Sequence, residues 1–137
     1  MNEVVRVRRA VVEKMLEHSK RDAPIEACGY LAAKNGAVVD AIPMRNVDAS
    51  PESFTFDPAE QFAALKRARS DGAKLSGVYH SHPATPARPS RDDLERLRDP
   101  SFVYFIVSLA GSEPDLRAFR VRDGRSWEVK VEVMEER

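Results

Sequence analysis

The sequence lacks several features that would assign it to a common class of protein. It contains a single cysteine, Cys28, so no disulfide can form within the chain. No apolar run approaches the roughly 20 residues that a membrane-spanning helix requires. Residues 1–6 show no long apolar segment of the kind found in a signal peptide. We therefore expect a cytoplasmic location.

The chain also has no excess of charge of either sign. Its 22 Lys and Arg residues are balanced by 22 Asp and Glu residues, which gives a formal net charge of +0. A chain without net charge exerts no long-range attraction on nucleic acid or on acidic membrane surfaces. We therefore expect neither as a partner, and the sequence leaves the oligomeric state open.

Size and composition are typical of one globular domain. The chain has 137 residues, of which 42% are hydrophobic and 32% charged, enough to build an apolar core and a solvated surface. It contains no internal repeat, linker or low-complexity tract. We therefore expect a single domain over residues 1–137.

The apolar pattern predicts strands and helices that alternate along the chain. A hairpin is indicated by Asn35-Gly36 between two apolar runs. The predicted elements are an edge strand at 4–7, a helix at 9–20, strands at 27–33 and 38–44, a helix after residue 57, a strand at 75–79, a helix at 90–98, and strands at 102–109, 116–121 and 127–133. This order favours a mixed, largely antiparallel sheet with helices packed around it.

The helix after residue 57 has a well-defined start. Asp57 is a favourable N-cap, proline follows at the first helical position, and Glu60 can complete a capping box. We expect Phe62, Leu65 and either Ala68 or Arg69 to form its buried face.

Two histidines, His80 and His82, lie at the end of the predicted strand 75–79. Residues at i and i+2 of a strand share a face, so both imidazoles can point to one place. A proline-rich loop, 83–89, follows, and Ser90 opens a short helix that carries Asp93 in its first turn. Two imidazoles and one carboxylate suit Zn²⁺, with a fourth position left for water, which is the catalytic rather than the structural pattern.

Each of these residues also has an ordinary structural interpretation. His80 and His82 could be common strand residues, one hydrogen-bonded and one exposed. Ser90 and Asp93 have the spacing of a helix cap and its supporting acidic residue. Glu26 enters an otherwise apolar strand and could be a charge at its solvated end, although a buried carboxylate would need a partner.

The constellation His-x-His, seven residues, Ser, two residues, Asp resembles the signature of the JAMM (MPN+) metallopeptidase family. The family also uses an upstream glutamate, and segment 24–31 is similar to the one that supplies it. The resemblance implies a curved-sheet α/β/α sandwich of the cytidine-deaminase-like type. Because no long insertion is evident, the chain looks like the free-standing prokaryotic members.

The resemblance also implies roles for five residues. His80, His82 and Asp93 would hold one Zn²⁺ per chain, Glu26 would act as general base, and Ser90 would assist the oxyanion. Such domains hydrolyse the amide bond after the C-terminal Gly-Gly of a ubiquitin-like or sulfur-carrier protein, so a small protein of that type is the implied partner. The alternative is an inactive MPN-type scaffold that binds proteins.

Two other zinc enzymes are excluded by the residues present. A nucleobase deaminase needs a pair of cysteines, and the chain has one. The helical His-Glu-x-x-His pattern of other zinc peptidases is absent as well. Among the remaining polar residues, we expect Cys28 to be a small core residue, His18 to be a helix-packing or surface residue, and Asn46 to shape a loop.

Overall fold

The computed structural model describes residues 3–135, so the first two and last two residues of the predicted domain lie outside it. Its elements are, in chain order, β1 Val4–Arg8, α1 Arg9–Asp22, β2 Cys28–Lys34, β3 Ala37–Met44, α2 Pro58–Ser70, β4 Lys74–His82, α3 Arg91–Arg96, β5 Val103–Ser108, β6 Asp115–Arg122 and β7 Arg125–Met134. The predicted order of strands and helices is confirmed. None of the helices in residues 3–135 has both the length and the apolar character needed to cross a bilayer.

The seven strands form one closed barrel in the order β1, β3, β2, β4, β5, β6, β7. Four neighbouring pairs are antiparallel, and the pairs β1–β3, β1–β7 and β4–β5 are parallel. The prediction of a mixed, mostly antiparallel sheet with helices is therefore confirmed. The expectation of an open curved sheet, as in an α/β/α sandwich, is corrected to a closed one.

Strand β1 closes the barrel, and the prediction that it is an edge strand is wrong. It pairs with β7 from Val4, opposite Lys130, to Arg8, opposite Met134, and it also pairs with β3. Its residues alternate between exposed and buried. Such alternation identifies a strand with one buried face but carries no information about a partner at the far end of the chain.

The main core lies between α1 and one face of the sheet. It includes Met15 of α1, Tyr79 of β4 and Phe105 of β5, all of which are fully buried. Helices α2 and α3 belong to the opposite face, where smaller clusters contain the aromatic residues Phe54 and Phe56. Because side chains alternate along a strand, the neighbours of Tyr79 in β4 face this second side.

Local turns and caps follow the sequence with one exception. Asn35 and Gly36 join β2 to β3 with φ values of 54° and 79°, as a two-residue hairpin turn of type I′ requires. Asp57 caps α2 by accepting a hydrogen bond from the Glu60 amide. The second hydrogen bond of the predicted capping box would join the Glu60 carboxylate to the Asp57 amide. The Glu60 carboxylate accepts a hydrogen bond from the amide of Arg45 instead.

The buried face of α2 agrees with the prediction at Ala68 but not at Phe62. Ala64 and Ala68 are buried, whereas Phe62 is 63% exposed and Arg69 is exposed. The ammonium of Lys66 lies 5.4 Å from the centroid of the Phe62 ring. Small alanine side chains can pack directly against a sheet. A prediction that favours large apolar residues for the buried face therefore chooses Phe62 and overlooks Ala64.

Candidate metal centre

Strand β4 brings two histidines together on the face that α2 and α3 cover. The Nε2 atoms of His80 and His82 lie 3.2 Å apart. Their side chains are almost completely buried, with relative exposures of 0% and 4%. In the sheet, β4 pairs with β2 as far as His80 and with β5 as far as His82. The sequence-predicted juxtaposition of the two imidazoles is therefore present in the structure.

Asp93 completes the group from the first turn of α3. Its Oδ2 atom lies 3.1 Å from Nε2 of His80 and 3.0 Å from Nε2 of His82. Within residues 3–135, the three side chains form a group whose possible ligand atoms all lie within 4.8 Å of one another. All three residues are buried.

The spacing of these three atoms fits a metal ion. A tetrahedral zinc ion with ligands at about 2.0–2.1 Å holds those ligands about 3.3–3.4 Å apart. The observed separations are 3.2, 3.1 and 3.0 Å. Without a cation, two imidazole nitrogens and a carboxylate oxygen this close together need a proton between them. The triad can therefore hold a metal ion.

A backbone carbonyl sets the tautomer of His82. Its Nδ1 lies 2.8 Å from the carbonyl oxygen of Pro86, which can only accept, so Nδ1 carries the hydrogen. In the neutral ring Nε2 then directs its lone pair toward the triad, as a metal ligand must. The ring of His80 stacks on Phe54 with centroids 4.8 Å apart, and its Nδ1 has no hydrogen-bond partner among the described residues.

Charge within the triad is strongly coupled. Burial acts to raise the pKa of Asp93, but hydrogen bonds with His80 and His82 outweigh it and hold that pKa well below its ordinary value. Burial acts to lower the pKa of His82, yet the contacts with Asp93 and the Pro86 carbonyl raise it. The triad thus favours a positive charge at its centre, either a proton or a metal ion.

Glu26 lies in the segment that joins α1 to β2 and is 3% exposed. Its Oε1 atom has no hydrogen-bond partner among the described residues. Burial raises the pKa of Glu26 to about 8, and the next largest influences are the charges of His82 and Asp93. A buried carboxylate with an unpaired oxygen is costly, and its location close to other titrating groups is typical of a functional site.

Ser90 is the N-cap of α3. Its Oγ accepts a hydrogen bond from the Asp93 amide, and its own amide donates to Oδ2 of Asp93, both at 3.0 Å. The capping interpretation of Ser90 and Asp93 is therefore confirmed, and it is compatible with a metal site because the same Oδ2 also faces the histidines. In the cap Oγ is an acceptor, so the hydroxyl hydrogen remains for another partner.

The other three polar residues lie outside the triad. His18 is on the buried side of α1, with its Nδ1 2.7 Å from the Tyr79 hydroxyl. Cys28 lies in an apolar cluster, and burial raises the pKa of its thiol to about 12, so the thiol stays protonated. Asn46 shapes the loop after β3 and also donates a hydrogen bond of 3.1 Å to the carbonyl of Glu26.

Two contacts of the site are not anticipated by sequence reasoning. One is the Pro86 carbonyl, a backbone group that no side-chain pattern reveals. The other is Ser81, whose Oγ accepts a hydrogen bond of 2.8 Å from the amide of Ala27. The sequence contains one indication of a role for Ser81: it is a polar residue between His80 and His82 in a buried strand.

The fold and the site together define a class of protein: a JAMM-type domain in which a His-x-His strand and an acidic residue at a helix start form a triad that can hold a metal ion. The family model described as prokaryotic homologs of the JAB domain matches residues 8–122. The chain belongs to this family, the free-standing prokaryotic branch of the JAMM/MPN proteins.

Known proteins support this assignment along nearly the whole chain. A CysO-cysteine peptidase of Mycobacterium tuberculosis is 38% identical over 137 residues, which cover 97% of this chain and 93% of that protein. A "Probable TtuB-protein conjugate cleaving protease" of Thermus thermophilus is 38% identical over 125 residues, 89% of this chain and 79% of that protein. The solution structure of protein DSY2949 from Desulfitobacterium hafniense is 37% identical, with a TM-score of 0.86 over 98% of this chain and 94% of that one.

Proposed function

We propose that the protein is a zinc-dependent peptidase that hydrolyses the amide bond after the C-terminal Gly-Gly of a small ubiquitin-like or sulfur-carrier protein. The observation that carries the proposal is the convergence of His80, His82 and Asp93 near Glu26, a buried carboxylate with one unpaired oxygen. The names of the two relatives support the substrate class, since one refers to CysO-cysteine and the other to TtuB-protein conjugates.

His80, His82 and Asp93 would hold the zinc ion. Two imidazoles and a carboxylate are a ligand set typical of catalytic zinc, because they leave one coordination position for water or substrate. When bound, the ion lowers the pKa of a water molecule and polarises the carbonyl of the scissile bond. The Pro86 carbonyl supports this role by keeping the lone pair of the His82 Nε2 atom available.

Glu26 acts first as general base and then as general acid. Its carboxylate accepts a proton from the attacking water while the water oxygen bonds to the carbonyl carbon. It returns that proton to the leaving nitrogen as the carbon–nitrogen bond breaks. Burial raises the pKa of Glu26 to about 8 in the metal-free protein. A cation held by the triad would lower that pKa toward neutrality, where the group can both accept and return a proton.

Ser90 donates its hydroxyl hydrogen to the carbonyl oxygen as negative charge develops there. The capping bond supports this role in two ways. It uses the Oγ atom only as an acceptor, and it fixes the side chain at the start of α3. Ser90 is also exposed, so a substrate can reach it.

A binding role without catalysis is not favoured. Scaffold proteins of the family lose metal ligands, whereas the residues of the signature are all present here: Glu26, His80, His82, Ser90 and Asp93. The spacing of the triad supports a working site in addition.

The test is mass spectrometry of a folded carrier that bears one extra residue after its terminal glycines. The enzyme should remove that residue, a chelator should stop the reaction, and added zinc should restore it. The Glu26→Gln variant serves as the matched protein control. Cleavage of unrelated unfolded peptides at many sites would indicate a general peptidase instead, and no cleavage of any carrier fusion would contradict the proposed function.

A further inference from the structure

We propose that Ser81 is a positioning residue that holds the backbone next to Glu26 against the strand that carries His80 and His82. The proposal rests on the proposed role of Glu26 as general base. Ser81 lies between the two histidines in β4, so its side chain points to the opposite face of the strand. It is fully buried, with a relative exposure of 0%, and therefore acts through its neighbours rather than on a substrate.

Ser81 makes two hydrogen bonds to Ala27, the residue that follows Glu26. The Ser81 amide donates to the Ala27 carbonyl at 3.0 Å, and the Ala27 amide donates to Oγ of Ser81 at 2.8 Å. Cys28 is paired with His80 in the β2–β4 ladder, so Ala27 lies opposite Ser81, one step before β2 begins. The Ser81 hydroxyl thus extends the pairing of β2 with β4 by one residue, to Ala27, which is next to Glu26.

The carboxylate of Glu26 depends on its backbone for orientation, because its Oε1 atom has no hydrogen-bond partner among the described residues. The Glu26 amide donates to the Ser50 carbonyl at 2.9 Å, and its carbonyl accepts from Asn46 at 3.1 Å. Both contacts attach it to the loop after β3. The hydrogen bonds of Ser81 attach the same segment to β4, and so set the position of the base relative to the histidines.

The experiment compares the native enzyme with Ser81→Ala by four measurements: kcat, KM, zinc content and amide hydrogen exchange. We expect zinc content and KM to stay within about twofold, while kcat falls by about ten- to a hundredfold because a small misplacement of a catalytic group is that costly. Exchange at the Ala27 amide should become at least about tenfold faster, since that amide loses its acceptor. Exchange at Leu31, farther along β2, should not change.

Ser19→Ala is the matched control. Ser19 is also fully buried, with a relative exposure of 0%, and its Oγ donates a hydrogen bond of 2.7 Å to the Met15 carbonyl within α1. Its loss should lower the melting temperature and leave kcat unchanged. Ser81→Thr retains the hydroxyl acceptor and should restore most of the kcat that Ser81→Ala loses.

Three results would overturn the proposal: an unchanged kcat in Ser81→Ala, an unchanged exchange rate at Ala27, or an equal loss of kcat in Ser19→Ala. A folded, zinc-loaded Ser81→Thr enzyme as slow as Ser81→Ala would also count against it. If the native enzyme cleaves no carrier fusion, the proposed function fails. The exchange measurement needs no substrate, so it would still decide whether Ser81 holds the segment beside Glu26.

Discussion

Asp93 accepts a hydrogen bond from the amide of Ser90 through the same Oδ2 atom that faces the two histidines. The helix cap and the candidate metal site therefore share one oxygen. The start of α3 and the binding of a metal should stabilise each other, since each one holds the carboxylate where the other needs it.

Zinc should bind at about one ion per chain, because the triad supplies three ligands and one open position. His80→Ala and Asp93→Ala should each lose most of the metal, as measured by elemental analysis of protein purified without added zinc. Asp92→Asn is the matched control, since Asp92 is adjacent to Asp93 but is paired with Arg96 instead. Full zinc retention in His80→Ala would show that the ligands are assigned incorrectly.

Glu26→Gln should keep zinc and fold but lose activity. The amide cannot accept a proton from water, so kcat should fall by about 10²–10⁴-fold, the usual contribution of general acid–base catalysis. Steady-state cleavage of the carrier fusion measures this loss. Glu52→Gln, an exposed residue of the loop after β3, should be as active as the native protein. A near-native rate in Glu26→Gln would mean that another group is the base.

The stability of the metal-free protein should depend on pH through Glu26. Burial raises the pKa of Glu26 to about 8, from an ordinary value of 4.5. The folded state therefore binds this proton more tightly than the unfolded state does. The stabilisation is complete below the unfolded pKa and is lost as pH rises through the folded pKa. Between about pH 4.5 and pH 8 the free energy of unfolding should fall by a few kcal/mol on this account.

Urea unfolding in the presence of a chelator, repeated across this pH range, measures that effect. The difference between the pH profiles of the native protein and Glu26→Gln measures the contribution of Glu26, including its interaction with the charge of His82. The glutamine variant should have the flatter profile and should be the more stable protein near pH 8. Parallel profiles would mean that Glu26 is not desolvated in solution.

Variants of Ser90 should separate helix capping from oxyanion stabilisation. Ser90→Asp can still accept the hydrogen bond from the Asp93 amide, but it has no hydroxyl hydrogen to donate. We expect it to retain the helix cap and lose kcat by about 10²-fold, the scale for removing one oxyanion donor. Ser90→Thr retains both functions and should remain active. Circular dichroism and kcat together test this, and an active Ser90→Asp enzyme would leave capping as the only role of Ser90.

Much of the site could be predicted because its residues are close in sequence. His80 and His82 share a face through the two-residue period of a strand, and Asp93 follows after one short loop. The position of Glu26 depends instead on long-range contacts: its own backbone bonds to the loop after β3, and the next residue, Ala27, bonds to Ser81 of β4. Its setting in an apolar strand indicates that the carboxylate needs a partner, but only the family resemblance places it beside the histidines. No local pattern reveals the hydrogen bonds between Ser81 and Ala27.

The errors in the fold have a similar cause. The alternation of β1 correctly indicates one buried face, but its parallel pairing with β7 joins opposite ends of the chain. The side of α2 that faces the sheet contains the buried Ala64 and Ala68, and Phe62 lies on the exposed side. In each case, the outcome was decided by the packing of elements that are distant in sequence, which local propensities do not contain.

The final prediction is that cleavage depends on the folded carrier and not on its tail alone. Strand β4 is paired with β2 as far as His80 and with β5 as far as His82, so little of its backbone is free to pair with a bound tail. Beyond β4, loop 83–89 contains prolines at positions 83, 86 and 89, which have no amide hydrogen to donate to a bound peptide. A flexible Gly-Gly tail therefore finds few backbone partners to offset its ordering cost.

Most of the binding energy should then come from the body of the carrier. A synthetic peptide of the last residues of the carrier should be cleaved with a kcat/KM at least about a hundredfold below that of the folded fusion, mainly through a higher KM. The comparison uses the same scissile bond and the same zinc-loaded enzyme, with chelator-treated samples as blanks. Equal kcat/KM for the peptide and the folded fusion would instead mean that the tail contains the whole recognition signal.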